Sequence, residues 1–163
     1  MTAVATESLL ANFLDAMASA CSSVSVVTTQ AAGAPHGTTV SAFCSLSADP
    51  PMVLVSLDNG SRLLRHIQGS RRFGLNLLAS DQSDLAKRFA SKAQDKFAGV
   101  DYQLAAEVPI LSGPAGWVAC ELHAALPGGD HTILLGTVVD AATTGRAPLT
   151  YHSRSFGTHI PIG

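Results

Sequence analysis

The sequence contains few charged residues and no run of basic ones. Charged side chains make up 13% of the 163 residues, and ten Lys and Arg against twelve Asp and Glu give a formal net charge of −2. Proteins that bind nucleic acid or anionic lipid usually carry a basic patch or stripe. Because the sequence shows none, neither nucleic acid nor a membrane is an expected partner.

Cysteine is scarce, and long apolar runs are missing. Cys21, Cys44 and Cys120 are far apart and show no C-x-x-C spacing. Such a set indicates neither a disulfide framework nor a structural zinc site. The first twenty residues lack the basic start and unbroken apolar run of a signal peptide, and no other run is long enough to predict a membrane span. These absences favour a cytoplasmic protein.

Apolar residues, by contrast, are plentiful and account for 47% of the chain. A chain of this length is expected to form one domain that buries roughly 70% of its unfolded surface. No repeat, low-complexity tract or linker divides the sequence, so residues 1–163 are predicted to be a single domain. The apolar composition also predicts an exposed apolar patch, which favours self-association.

The spacing of apolar residues predicts a leading helix within residues 1–20, followed mainly by strands. The helix is expected at residues 7–20, and two further short helices begin near Ser61 and Ser80. Gly69 is expected to end the first of these two. No βαβ units recur, so the pattern favours an antiparallel barrel or sandwich. The strands are predicted at residues 24–29, 38–46, 52–57, 73–77, 117–126, 132–141 and 149–152.

Hydroxyl-bearing and small side chains are concentrated in the predicted strand from Thr38 to Ser45. Small side chains let a flat ring approach the backbone, where hydroxyl and peptide groups can meet its edge. A half-exposed strand with threonine favoured for its β propensity explains the same pattern. The residues alone leave both interpretations open.

Two further clusters have the composition of phosphate sites. Ser56, Ser61 and Arg62 lie where a strand gives way to a helix, which suits either a phosphate cradle or simple helix capping. Arg88 and Phe89 lie near the end of the next helix, where they suit either a ligand or the helix dipole. Spacing does not decide between these alternatives.

Histidines and carboxylates surround the turn Pro-Gly-Gly-Asp at residues 127–130. Glu121, His123, Asp130 and His131 are of metal-ligating types, but short ligand spacings such as H-x-H are missing, so no metal is expected. The G-x-S-x-G motif of many hydrolases is also missing. His131 is better interpreted as a substrate contact or a plain surface group on a loop.

Six segments in order resemble the short-chain flavin reductases of two-component monooxygenases, within the FMN-binding split-barrel superfamily. The resemblance spans nearly the whole chain, and the succession of motifs is more specific than any one of them. The segments are VSVVTT from Val24, GTTVSAFCSLSADPPMVLVSL from Gly37, FGLNLLASDQSDLAKRFAS from Phe73, DKFAGVDY from Asp95, GGDH from Gly128 and PLTYH from Pro148.

The resemblance implies a mainly β, antiparallel, Greek-key-like split barrel that forms a homodimer with FMN or FAD in a groove near the dimer interface. His131 would face the nicotinamide of NADH or NADPH, with Tyr151 and His152 nearby. In its tail the chain departs from the common family pattern, which carries a second tyrosine and a glycine after the Pro-Leu element. The implied flavin contacts are Thr38, Thr39, Val40, Ser41, Ala42, Ser56, Leu57, Ser61, Asn76, Ala79, Arg88 and Phe89.

The function implied by the resemblance is hydride transfer from NADH or NADPH to a flavin, which then serves a separate monooxygenase. This transfer needs no acid, base or nucleophile from the protein, because the cofactors carry the chemistry and the protein orients them. Two alternatives are a barrel that binds flavin or another small ligand without catalysis, and a split-barrel oxidase of a pyridoxine phosphate. The sequence has no dinucleotide-binding motif that would distinguish NADH from NADPH.

Overall fold

The structure, a computed structural model that describes residues 3–162, consists mainly of antiparallel strands. Side chains are described from Glu7 onward. The helices are α1 (Ala3–Ala18), α2 (Arg62–Ser70) and α3 (Ser83–Ala90). The strands are β1 (Ser22–Ser23), β2 (Ser25–Ala31), β3 (Ala34–Val40), β4 (Phe43–Ala48), β5 (Pro51–Asp58), β6 (Arg72–Leu77), β7 (Tyr102–Ala105), β8 (Val108–Leu111), β9 (Gly116–Gly128), β10 (His131–Thr143), β11 (Leu149–His152) and β12 (Ser155–Thr158).

One sheet of seven strands closes on itself. Its order is β3-β2-β6-β9-β10-β5-β4, so β3 and β4 lie at opposite edges although only Ser41 and Ala42 separate them in the chain. A flat sheet of this width would place those edges roughly 29 Å apart, far beyond the reach of two residues. The sheet therefore curls, and the amide N–H of Ser56 in β5 donates to the carbonyl of Ala42 at 2.9 Å. We call this junction, residues 38–43, the seam.

The barrel interior explains why the long strands hold together. Val27, Val55, Phe73 and Leu134 are fully buried inside it. A Cβ atom at Gly136 in β10 would clash with the ring of Phe73 in β6, so glycine at that position leaves room for this ring in the core. The predicted antiparallel barrel is confirmed, and the two long strands form its continuous wall.

A buried amide ties the outer face of the barrel to the β7–β8 hairpin. The side-chain nitrogen of Asn76 donates to the carbonyl of Val26 at 3.1 Å, and its oxygen accepts from the amide of Leu111 at 2.8 Å. The hydroxyl of Thr28 donates to the carbonyl of Pro109 at 2.6 Å. The donors and acceptors all belong to β2, β6 and β8. The network therefore fixes β8 against the outer face of β2 and β6.

The structure differs from the sequence-based expectations at several boundaries. The strand expected at residues 38–46 is broken at the seam into β3 and β4. Helix α2 continues past Gly69 and ends where Arg71 adopts φ 61°, and Ser61 precedes it without a capping bond from its side chain. Helix α3 begins at Ser83 rather than near Ser80. The short strands β1, β7, β8 and β12 were not expected from the sequence.

Helix α1 projects an apolar face into solvent. Leu9, Leu10, Phe13 and Met17 are each more than half exposed. The end of the helix is held by the amide of Ser153, which donates to the carbonyl of Ala18 at 2.8 Å. The expected exposed apolar patch is thus on this helix. No helix among residues 3–162 is both long and apolar enough to cross a bilayer.

Candidate functional site

The β3 side of the seam is anchored to helix α3. The hydroxyl of Thr39 donates to the carbonyl of Ala86 at 2.7 Å, and that of Thr38 to the carbonyl of Phe89 at 3.3 Å. A Cβ atom on Gly37 would lie 2.9 Å from the ring of Phe89, so glycine is needed for this close approach. The threonine hydroxyls therefore anchor the strand, and the groups left for a ligand belong to the next residues of the seam.

Ser41 and Ala42 provide those groups. Both residues are exposed and have small side chains. Their carbonyls accept from Phe43 and Ser56, but no acceptor within the described part of the chain meets either amide N–H. Two free amides beside small side chains can donate to the heteroatoms at the edge of a flat ring.

The β9–β10 hairpin is locked against the turn that follows β5. The amide N–H of Asn59 donates to the carbonyl of Asp130 at 3.0 Å, and the hydroxyl of Thr132 donates to the side-chain oxygen of Asn59 at 2.7 Å. In the β5–β10 ladder His131 lies opposite Asp58. The histidine is therefore held beside the end of β5, close to Ser56 and hence to the seam.

His131 is oriented by its neighbour in the chain. Its Nδ1 lies 2.7 Å from a carboxylate oxygen of Asp130, and its side chain is 42% exposed. The hydrogen bond from His131 lowers the pKa of Asp130. Because Nδ1 is engaged, Nε2 is the ring nitrogen that is open to a ligand.

A pocket of about 530 Å³ opens where β3, the start of α2 and the loop after α3 meet. Thr38 and Ser61 line one wall, so the pocket adjoins the seam. The loop that forms the opposite wall is held by Lys96, whose Nζ donates to the carbonyl of Phe89 at 2.6 Å, and by Arg88, which donates to the carbonyl of Ala98. The side chain of Arg88 thus shapes the loop beside the pocket.

The pocket is rich in basic groups. His36 and His66 stack with ring centroids 3.9 Å apart and an interplanar angle of 18°. Burial, followed by the charges of His36, Arg65 and Arg62, lowers the pKa of His66. Burial, followed by the charge of Arg62, also lowers the pKa of Lys96. The basic side chains are thus crowded enough to disfavour one another's protonated forms.

The structure brings most of the expected flavin contacts together and places the others in the core or behind the pocket loop. The side chains of Asn76, Ala79 and Phe89 are 0%, 1% and 0% exposed, so they lie within the core, and their contact with a flavin stays a prediction. Arg88 lies behind the pocket loop. The residues gathered along the seam and the end of β5 are Thr38, Thr39, Val40, Ser41, Ala42, Ser56 and Leu57, with Ser61 at the pocket and His131 opposite Asp58.

Tyr151 and His152 lie on a different sheet, formed by β1, β11 and β12. The ring of Tyr151 packs against that of Phe156 at 5.2 Å. No hydrogen bond joins either residue to His131 within the described chain. Their contact with a nicotinamide stays a prediction.

Sequence reasoning singled out Arg62 but missed the other basic groups of the pocket. His36 and His66 are thirty residues apart, and neither belongs to a periodic pattern or a chemical motif. For Lys96 the available sequence signal was the DKFAGV segment, which identified the loop without indicating that the lysine faces a pocket.

Comparison with known proteins decides the family. Residues 17–159 match the flavin reductase like domain. The chain belongs to this family. It is 36% identical over 151 residues to the reductase component of a 4-nitrophenol 4-monooxygenase/4-nitrocatechol 2-monooxygenase from Rhodococcus opacus, covering 93% of the chain and 82% of that relative.

Two further relatives show the range of the likeness. A probable flavin reductase from Rhizobium meliloti is 37% identical over 139 residues, which cover 84% of this chain but 45% of the relative, so the chain spans less than half of that protein. The NADH:FAD oxidoreductase from Streptomyces globisporus C-1027, solved with NAD and FAD fragments, superimposes with a TM-score of 0.88 at 27% identity and 94% coverage of both chains.

These findings confirm three of the expectations from the sequence. The flavin reductase family, the antiparallel split-barrel fold, and flavin with a nicotinamide as the cofactor classes all agree with the relatives and structural neighbours. The interpretation as a non-catalytic binding protein is not favoured, because the relatives are reductases by name.

Proposed function

We propose that this protein transfers a hydride from NADH or NADPH to FMN or FAD and that the reduced flavin is used by a separate monooxygenase. The observation that carries the proposal is the convergence of two free amides at Ser41 and Ala42 with His131 across the end of β5. A flat ring held by the amides would lie beside the imidazole. Hydride transfer requires that kind of alignment rather than a protein acid or base.

The residues of the chain would divide the work of holding the two cofactors. The seam amides would bind the edge of the flavin ring, and Ser61 would receive its phosphate. Arg88, by holding the pocket loop, would keep that phosphate position in place. When bound, the flavin supplies the electron-accepting ring on which the reaction depends.

His131 would position the nicotinamide. Its Nδ1 is fixed by Asp130 at 2.7 Å, which leaves Nε2 to contact a polar group of the donor. Tyr151 and His152 are proposed to approach the same ligand from the β11–β12 hairpin. The hydrogen bond to Asp130 thus sets the direction of the imidazole rather than supplying a proton.

The proposed assembly is a homodimer of single flavin reductase-like domains in the cytoplasm. Leu9, Leu10, Phe13 and Met17 form an apolar face that nothing within the described chain covers, and a second copy would bury it. All three cysteines are free, as suits a reducing compartment. The separate monooxygenase is supported by the name of the Rhodococcus relative, a reductase component.

A steady-state panel tests the function. Purified protein is mixed with each of NADH and NADPH and each of FMN and FAD, and the loss of nicotinamide absorbance is followed. We expect flavin-dependent oxidation with at least one pair. Flavin binding without any oxidation would instead support the non-catalytic alternative, and neither binding nor oxidation would overturn the proposal.

A further inference from the structure

A second pocket, of about 340 Å³, lies between helix α2 and the end of β2 with its turn into β3. It is lined by residues 30–32 of the β2–β3 hairpin and by Arg65, His66, Gly69 and Ser70 of α2, and we call it the hairpin pocket. Apart from His66, none of its lining residues belongs to the larger pocket. The hairpin pocket is therefore a separate space, in which the function proposed above places neither cofactor.

A buried acceptor in the hairpin pocket calls for a ligand that carries a donor. The side-chain oxygen of Gln30 is buried and accepts no hydrogen bond within the described chain. The hydroxyl of Ser70, which lines the same pocket, already shares a hydrogen bond with the hydroxyl of Thr29 at 2.8 Å. A buried acceptor without a donor costs free energy, so an O–H or N–H group of a ligand would stabilise this arrangement.

The charge of the hairpin pocket comes from Arg65. Its side chain is exposed and forms no ion pair among the described side chains, and no acidic residue lines the pocket. Burial, followed by the charges of His36, Arg65 and Arg62, lowers the pKa of His66, so the guanidinium is the group that stays protonated. A guanidinium without a partner favours a carboxylate, which it can hold through two parallel hydrogen bonds.

Small residues and one aromatic ring set the shape of the hairpin pocket. Ala31, Ala32 and Gly69 bring little side-chain volume to its lining, and the ring of His66 is fixed by stacking on His36 at 3.9 Å. The volume lies near the lower end of the roughly 300–1,000 Å³ found for small-molecule sites. The pocket thus suits a single flat ring rather than a dinucleotide.

We propose that the hairpin pocket binds a small aromatic carboxylic acid that carries a hydroxyl group, with the carboxylate at Arg65 and the hydroxyl donating to the side-chain oxygen of Gln30. This inference goes beyond the proposed function and does not depend on it. Because His66 forms a wall shared with the larger pocket, the acid would lie beside the cofactor site without occupying it.

The experiment is a calorimetric titration of purified protein with 3-hydroxybenzoate and 4-hydroxybenzoate, in the absence and in the presence of saturating FAD. Benzoate, which lacks the donor, and 4-hydroxybenzyl alcohol, which lacks the charge, are the comparison ligands.

Two variants change the hairpin pocket in different ways. Arg65→Gln removes its charge, whereas Gly69→Leu fills its space, since a Cβ atom at Gly69 would meet nothing within 4 Å. The controls are Lys92→Gln and His123→Ala, because both side chains are exposed and line neither pocket. Thermal unfolding shows that the variants fold, and Gly69→Leu should raise the Tm because leucine is the better helix former.

We expect at least one hydroxybenzoate to bind wild-type protein with a Kd below about 1 mM, with or without FAD. Benzoate, 4-hydroxybenzyl alcohol and each pocket variant should raise the Kd by about tenfold, the scale of one lost charge-assisted or buried hydrogen bond or of lost space. The control variants should match wild type.

Three results would overturn the inference. In the first, neither hydroxybenzoate binds wild-type protein. In the second, a hydroxybenzoate binds but Arg65→Gln and Gly69→Leu leave its Kd at the value of the controls, which would place it outside the hairpin pocket. In the third, saturating FAD prevents binding, which would assign the acid to the cofactor site. Reductase activity is measured in none of these titrations, so failure of the proposed function would be seen separately, as a lack of nicotinamide oxidation.

Discussion

Two polar regions of this molecule are built in opposite ways. Around Asn76, amide and hydroxyl groups are buried and find partners within the chain, at 3.1 Å to Val26 and 2.8 Å to Leu111. Around His66, basic groups face a pocket and oppose one another's charges. The first arrangement stabilises the fold by itself, whereas the second leaves basic groups facing an open pocket. Polar groups without internal partners therefore mark the site better than polar groups as such.

The largest effect is expected from removing the buried hydrogen-bond network around Asn76. Asn76→Ala should lower the free energy of unfolding by about 3 kcal/mol, because the amide of Leu111 and the carbonyl of Val26 lose their buried partner. Urea denaturation measures the loss, and the exposed Gln103→Ala serves as the control. A loss below about 1 kcal/mol would show that water or a shift of β8 replaces the amide.

A change behind the pocket should affect binding more than stability. Arg88→Ala should weaken flavin binding by about 1–3 kcal/mol, because the loop that faces Ser61 loses its bond from Arg88 to the carbonyl of Ala98. Calorimetric titration gives the value. Lys87→Ala is the control, since Lys87 pairs with Asp84 on the exposed side of α3. If Arg88→Ala and Lys87→Ala bind flavin with equal affinity, Arg88 does not contribute to flavin binding.

His131→Ala sharpens the comparison within the site itself. We expect the nicotinamide KM to rise and turnover to fall, together reducing kcat/KM by about tenfold, while flavin affinity stays at the wild-type value. Steady-state kinetics with varied nicotinamide and a separate flavin titration measure the two effects. Flavin reduction that matches that of His123→Ala would contradict the positioning role.

The smallest expected effect is a dependence of stability on pH. The fold lowers the pKa of His66 from its ordinary 6.5, so the unfolded chain binds the proton more readily. Stability is then fully present above about 6.5 and falls as the pH drops through the lowered pKa. Thermal unfolding of wild type and His66→Gln on both sides of this window measures the slope, which should be shallower in the variant. If wild type and His66→Gln show the same dependence of stability on pH, a group other than His66 is responsible for it.

Much of the barrel could be predicted because its signals are local. The apolar run of β5, the two long strands and the turn before His131 are all visible in the sequence, and β11 occupies the expected residues. Asn76 could not be placed from its own strand, since alternation with Phe73, Leu75 and Leu77 puts it on an outward face. That face is covered by the β7–β8 hairpin, which comes from elsewhere in the chain.

The seam and the pocket were harder to predict for the same reason. Ser41 and Ala42 include neither glycine nor proline, so the break between β3 and β4 comes from closure of the barrel and not from a local turn signal. His36 and His66 meet only after α2 has folded against β3. Family resemblance identified the seam residues, but it did not identify the pocket that is completed by this pair.

The closure at Ala42 has a consequence for motion. Ser41 and Ala42 connect the two edge strands through the chain, and Ala42 is held to β5 by the amide N–H of Ser56, which donates to its carbonyl at 2.9 Å. A ligand that accepts from the amides of Ser41 and Ala42 would restrict the motion of the two residues that connect β3 to β4. Occupancy of the site should then slow hydrogen exchange along both edge strands, including residues the ligand never touches.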